Sequence, residues 1–121
     1  MQLKELDLSI TDISNKAIEY LISCDFKELQ ELNISKTKIS NKAIKYLSRC
    51  QFKQLKKLDI SHTLITNGAI KILIECDFKQ LERLSLNDNE LTDKCIIYLN
   101  QCEFKRLSSI SLYNTKITHM A

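Results

Sequence analysis

Four cysteines stand at positions 24, 50, 76 and 102, each two residues before a phenylalanine (Phe26, Phe52, Phe78, Phe104) and three before a lysine (Lys27, Lys53, Lys79, Lys105). Thiolates are nucleophiles and soft metal ligands, so four of them could hold a metal, cycle between redox states or attack an electrophile. Their constant step of 26 residues argues for something plainer. Equivalent residues of stacked units form a straight column, about 4.8 Å apart per rung where strands pair. A column cannot surround one ion tetrahedrally, which structural zinc demands. The expectation is a buried ladder of thiols whose pKa values rise, and whose reactivity falls, in apolar surroundings. Cys95 takes the place of Ala17, Ala43 and Ala69 in another column and reads as a small core residue.

The other reactive types are no more organised. His62 and His119 fall in different columns, and no carboxylate pair has the spacing or apolar setting that tunes an acid against a base. The chain is therefore read as non-enzymatic, with no catalytic residue, no metal ligand and no cofactor. One glycine and no proline exclude a glycine-rich phosphate loop and reserve almost no position for left-handed backbone. The lysine column could meet an anionic surface, but Asp25, Asp77 and Glu103 run beside it and the net charge of +3 is dispersed. Neither nucleic acid nor membrane is expected as a partner.

The elements that carry these columns keep the same period. Aliphatic triplets recur at Leu3, Leu6 and Leu8, at Leu29, Leu32 and Ile34, at Leu55, Leu58 and Ile60, at Leu81, Leu84 and Leu86, and at Leu107, Ile110 and Leu112. "LKELDLS" alternates apolar and polar residues, the pattern of a short strand with one buried face. A corner follows, then Ser or Thr at 14, 40, 66, 92 and 118, where a helix N-cap belongs. "NKAIEYLISC" predicts a helix of about ten residues with Ala17, Tyr20, Leu21 and Cys24 inward and Lys16, Glu19 and Ser23 outward. Each phenylalanine then plugs the gap between layers. Neither half of a unit can bury its apolar face alone, so the units must stack into one domain, 1–121, of repeats 3–28, 29–54, 55–80, 81–106 and a partial 107–121.

The pattern L-x-x-L-x-L-x-x-(T/N)-x-(I/L), present as "LKELDLSITDI", "LQELNISKTKI", "LKKLDISHTLI", "LERLSLNDNEL" and "LSSISLYNTKI", resembles the leucine-rich repeat signature. Unit length and the cysteine closing each helix are similar to the cysteine-containing 26-residue class of ribonuclease-inhibitor-like and F-box-associated repeats. The resemblance implies an α/β solenoid, a right-handed horseshoe arc with a five-stranded parallel sheet on the concave side and four helices on the convex side. It also implies a protein-interaction module holding its partner in the concavity, a role that serves target recognition in ubiquitin-ligase adaptors and bacterial effectors. Two departures stand out. Thr11, Thr37, Thr63 and Thr115 replace the usual Asn or Cys, leaving the amide only at Asn89, so most corners must manage with fewer hydrogen bonds. The proline expected after each helix cysteine is replaced by an acidic or amide residue.

Function should lie where the repeats differ. Three outward columns vary: Glu5, Glu31, Lys57, Arg83, Ser109; then Asp7, Asn33, Asp59, Ser85, Ser111; then Ser9, Ser35, Ser61, Asn87, Tyr113. The expected partner surface comprises Glu5, Asp7, Glu31, Asn33, Lys57, Asp59, Arg83, Ser85, Asn87 and Tyr113, anchored by Lys57, Arg83 and Tyr113, because Arg and Tyr are enriched among interface hot spots. Its span of about 20 Å suits a protein or peptide better than a small molecule. The alternative is a self-assembling module, a homo-oligomer formed through uncapped terminal repeats and their exposed edge strands. "MQLKELDLSI" lacks the apolar block of a signal peptide, and five cysteines without a C-x-x-C pair fit a reducing compartment. A cytoplasmic location is expected, or export into a host cell without a classical signal peptide.

Overall fold

The computed structural model describes residues 3–24 and 26–118. Among the described residues five strands alternate with four helices: β1 (Glu5–Asp7), α1 (Asn15–Leu21), β2 (Glu31–Asn33), α2 (Asn41–Leu47), β3 (Lys57–Asp59), α3 (Asn67–Leu73), β4 (Arg83–Ser85), α4 (Lys94–Gln101) and β5 (Ser109–Ser111). The strands pair in chain order, all parallel, with Leu6, Leu32, Leu58, Leu84 and Ile110 in one unbroken register. This is the α/β leucine-rich repeat solenoid expected from the sequence. The core lies between sheet and helices, where Leu29, Ile34, Leu55, Ile60, Leu81 and Leu86 are fully buried.

Three residues beyond each strand stands a left-handed residue, and none of the five is glycine: Ile10, Lys36, His62, Asp88 and Asn114 have φ between 51° and 57°. The glycine count therefore misled about left-handed backbone. Asp and Asn tolerate this conformation, whereas a β-branched residue such as Ile10 is strained there by about 1–2 kcal/mol. Neighbouring rungs hold the backbone in place. The Ile10, Lys36, His62 and Asp88 amides donate to the carbonyls of Ser35, Ser61, Asn87 and Tyr113, respectively.

The corner residues behave as their side chains dictate. Thr11, Thr37, Thr63 and Thr115 each donate to a carbonyl three residues back, at 2.7, 2.8, 3.1 and 3.0 Å. Asn89 reaches further, donating to Ile60 O and Leu86 O while its Oδ1 accepts from the Thr63 amide at 2.9 Å and shares the Thr63 hydroxyl. One amide thus ties two repeats together where a threonine ties only its own.

The hydroxyls at the helix starts do not cap as expected. Ser14, Ser40 and Thr66 occupy the N-cap position without a side-chain cap bond, and α4 starts from Asp93 rather than Thr92. Ser40, Thr66 and Thr92 are engaged instead by the preceding repeat. Asn15 Oδ1 accepts the Ser40 amide while its Nδ2 donates to Ser40 Oγ; Asn41 does the same to Thr66, and Asn67 to Thr92. At the last step Asp93 accepts both the amide and the hydroxyl of Thr118, at 2.7 and 2.8 Å, which holds its carboxyl below the usual carboxylate range.

The helices run seven or eight residues, not ten, because their last turn tightens. Cys24, Cys50 and Cys76 amides donate to carbonyls three residues back, at Leu21, Leu47 and Leu73. The inward face is correspondingly different. Ile18, Ile44 and Ile70 are fully buried with Ala43 and Ala69, while Tyr20, expected inward, is 65% exposed. Compact β-branched side chains fit the narrow gap over the sheet; the longer tyrosine lies along the flank, as Tyr46 does when it donates to Glu19 of the previous helix at 3.1 Å. The phenylalanine column forms as expected, with ring centroids 6.4 Å apart at every step, a favourable stacking distance.

Candidate functional site

The thiol column is not the buried ladder expected. Cys24 is exposed and Cys50, Cys76 and Cys102 are half-buried, because the tightened turn carries them off the inward stripe; Cys95 alone is buried. Partial burial still raises the pKa of Cys50, pushes Cys76 up to about 12 with help from Cys102, Glu75 and Cys50, and lifts Cys102 to about 11. Those thiols are poor nucleophiles at neutral pH. Among the described residues no three His, Cys, Asp or Glu side chains converge as metal ligands, and no helix is long and apolar enough to cross a membrane. Lys27, Lys53, Lys79, Lys105, Asp77 and Glu103 are all exposed along one edge, and His62 is exposed at a left-handed corner. Asp25 and His119 lie outside the described residues.

The outward columns of the sheet are set by the register. Glu5, Glu31, Lys57, Arg83 and Ser109 stand side by side on successive strands. Lys57 Nζ lies 3.3 Å from Glu31 Oε1. Glu5 and Glu31 share a hydrogen bond that raises the Glu5 pKa, reinforced by the Glu31 charge, and lowers that of Glu31, whose carboxylate Lys57 also favours. On acidification Glu5 is thus the first of the two to take up a proton. A shallow depression of about 260 Å³ opens between Glu31, Lys57, Asp59 and Arg83, floored by Leu32 and Leu58. The column is an electric axis, acidic over repeats one and two and basic over three and four.

The other two columns are partly committed to the scaffold. Asp7 accepts from both the amide and the hydroxyl of Ser9, which lowers its pKa, and Asn33 holds Ser35 in the same way. Asp59 accepts the Ser61 amide, Ser61 Oγ accepts the Asn87 amide, and Asn87 Oδ1 accepts the Tyr113 amide. Of the ten expected surface residues, Asp7, Asn33 and Asp59 therefore spend polar atoms on local backbone, and Asn87 on the backbone of the next repeat. Ser85 is half-buried beside the depression, and the Tyr113 ring is 75% exposed at the end of its column.

One surface was missed by looking only at the sheet. The strand-to-helix edge carries Ile10 and Leu64, 73% and 64% exposed, beside charged residues that change from repeat to repeat. The signal was internal variation, the same one that singled out the sheet face.

By structure, the chain is similar to leiomodin-1 actin-binding site 2, with a TM-score of 0.70 at 12% identity, covering 91% of this chain and 70% of that one. It is similar to an internalin C2 from Listeria monocytogenes, with a TM-score of 0.54 at 15% identity, and to an internalin F from the same organism, at 0.51 and 21%. These cover 96% and 98% of this chain but only 54% and 44% of the internalins, so it spans about half their length. At such identities the likeness is one of fold. By sequence, no family model and no curated protein matches the chain.

Proposed function

We propose that the chain is a non-catalytic protein-binding module whose sheet face receives a protein or extended peptide of matching charge. The observation that carries this reading is the register-locked axis from Glu5 and Glu31 to Lys57 and Arg83, ending beside the exposed Tyr113 ring. A partner would set a basic group against repeat one and an acidic group against Arg83, with the Tyr113 ring supplying apolar contact. The actin-binding label of the similar leiomodin-1 solenoid supports a protein ligand in general. Use as the recognition part of an adaptor or an exported effector, and residence in a reducing cytoplasm, belong to the same reading.

The test is affinity capture from a native lysate with the wild-type chain and a K57E/R83E variant, followed by direct titration of each captured protein. Loss of a partner on charge reversal, at unchanged melting temperature, supports the reading. Equal capture by both chains defeats it.

A further inference from the structure

The strand-to-helix edge carries two exposed columns. The left-handed residues Ile10, Lys36, His62, Asp88 and Asn114 form the first, and Asp12, Lys38, Leu64, Glu90 and Lys116, two residues further on, form the second. From repeat one to repeat five this edge presents one acid, two lysines, no carboxylate or lysine, two acids, and one lysine. Reversed, the series is the same with every sign exchanged, and each column has that property by itself.

We propose that the chain forms a two-fold dimer with a second copy of itself through this edge, the two solenoids antiparallel and Leu64 on the axis. An axis crossing the edge at repeat three sets each column against its own counterpart in reverse order. Asp12 then faces Lys116, Lys36 faces Asp88 and Lys38 faces Glu90, each contact occurring twice as an isologous interface requires. The even spacing of the rungs keeps all five in step.

The apolar side chains obey the same symmetry. Leu64 meets its own mate, and Ile10 lies opposite the repeat that carries the 75%-exposed Tyr113. Within one chain Lys38 pairs with Asp12 at 3.9 Å and Lys116 with Glu90 at 2.7 Å, all four side chains largely exposed. The axis brings these two pairs together as alternating foursomes, giving each cation a second acid. Both sheet faces stay open, so the dimer is independent of the function proposed above. Ten side chains per copy fall short of the roughly 20–30 of a standard interface, so association on the order of micromolar or weaker is expected.

Sedimentation equilibrium of the intact chain over a wide concentration range, at low and high salt, reads the assembly directly. A monomer–dimer equilibrium that weakens with salt is expected. K36E/K38E and D88K/E90K should each raise the dissociation constant at least about tenfold. Mixed together they should form a heterodimer, because the acidic repeats two and four of one face the basic repeats two and four of the other. Leu64→Lys in the otherwise unchanged chain should weaken the dimer, and circular dichroism and melting temperature confirm that each variant is folded. A chain that is monomeric throughout overturns the proposal, as does a mixture that fails to associate. So does a dimer that survives both reversals. K57E/R83E should leave the dimer unchanged, which separates this outcome from that of the sheet-face reading.

Discussion

Leu58 and Ile110 hold the same place in their strands and pair in the same register, yet Leu58 is 2% exposed and Ile110 38%. Leu32 and Leu84 resemble Leu58, while Leu6 is only partly covered. Phenylalanines follow suit: Phe52 and Phe78 are buried, Phe26 and Phe104 half-buried. So do the corners, with Thr37, Thr63 and Asn89 buried and Thr11 exposed. Nothing in a repeat's own sequence makes these differences. Burial is conferred by the two neighbours, so most of the stability resides in the interfaces between repeats.

The strongest way to break this comparison is one substitution made in the middle and at an end. Leu58→Ala should destabilise the chain by about 3 kcal/mol and Leu6→Ala by about 1 kcal/mol, read from denaturant unfolding midpoints. Equal losses would mean that the outer repeats are as well packed as the inner ones. Asn89→Thr should cost about 1–2 kcal/mol, since it removes bonds that bridge repeats three and four and leaves the Thr63 amide without its acceptor.

Smaller effects concern the left-handed corners and pH. Lys36→Gly should stabilise by up to about 1 kcal/mol, the relief of strain exceeding the entropy of the added glycine, whereas Asn114→Gly should be near neutral. Melting temperatures of the two variants test the difference. Asp7 and Asp93 have lowered pKa values in the folded chain, so their contribution is present above the ordinary carboxylate range and is lost as pH falls through it. Cys76 in the middle has the opposite sense. Its pKa, raised to about 12, gives a contribution that is complete below the ordinary thiol value of 9.0 and declines as pH rises above it. Hydrogen exchange should therefore show acid loosening the Ser9 and Thr118 amides first, and alkali loosening α3.

The fold was legible because a 26-residue period with strand alternation and helix spacing leaves one way to bury both faces. Three things were not. Left-handed corners were hidden because the sign of their usual residue, glycine, is absent; Lys36 and His62 carry no mark of the conformation they adopt. Cys24 was misplaced because a tightened last turn rotates it away from a face drawn at 100° per residue. The hydroxyls at 40, 66 and 92 were assigned to their own helices because sequence proximity favours that partner, while Asn15, Asn41 and Asn67 reach them from 25 residues away. At the sheet face the register made Glu31, Lys57 and Arg83 neighbours as expected. That Asp7, Asn33 and Asp59 turn back on their own backbone depends on rotamers that spacing does not encode.

The amide clamps between repeats have an evolutionary consequence. Each asparagine reaches only forward to the next unit, and each serine or threonine is held only from behind. A duplicated or deleted block of 26 residues therefore brings or removes a matched donor and acceptor, and the joint it leaves is the same as the one it replaced. Such a chain can lengthen or shorten by whole units through recombination without a compensating change elsewhere, while a gain or loss of any other length misaligns the clamp that spans the junction.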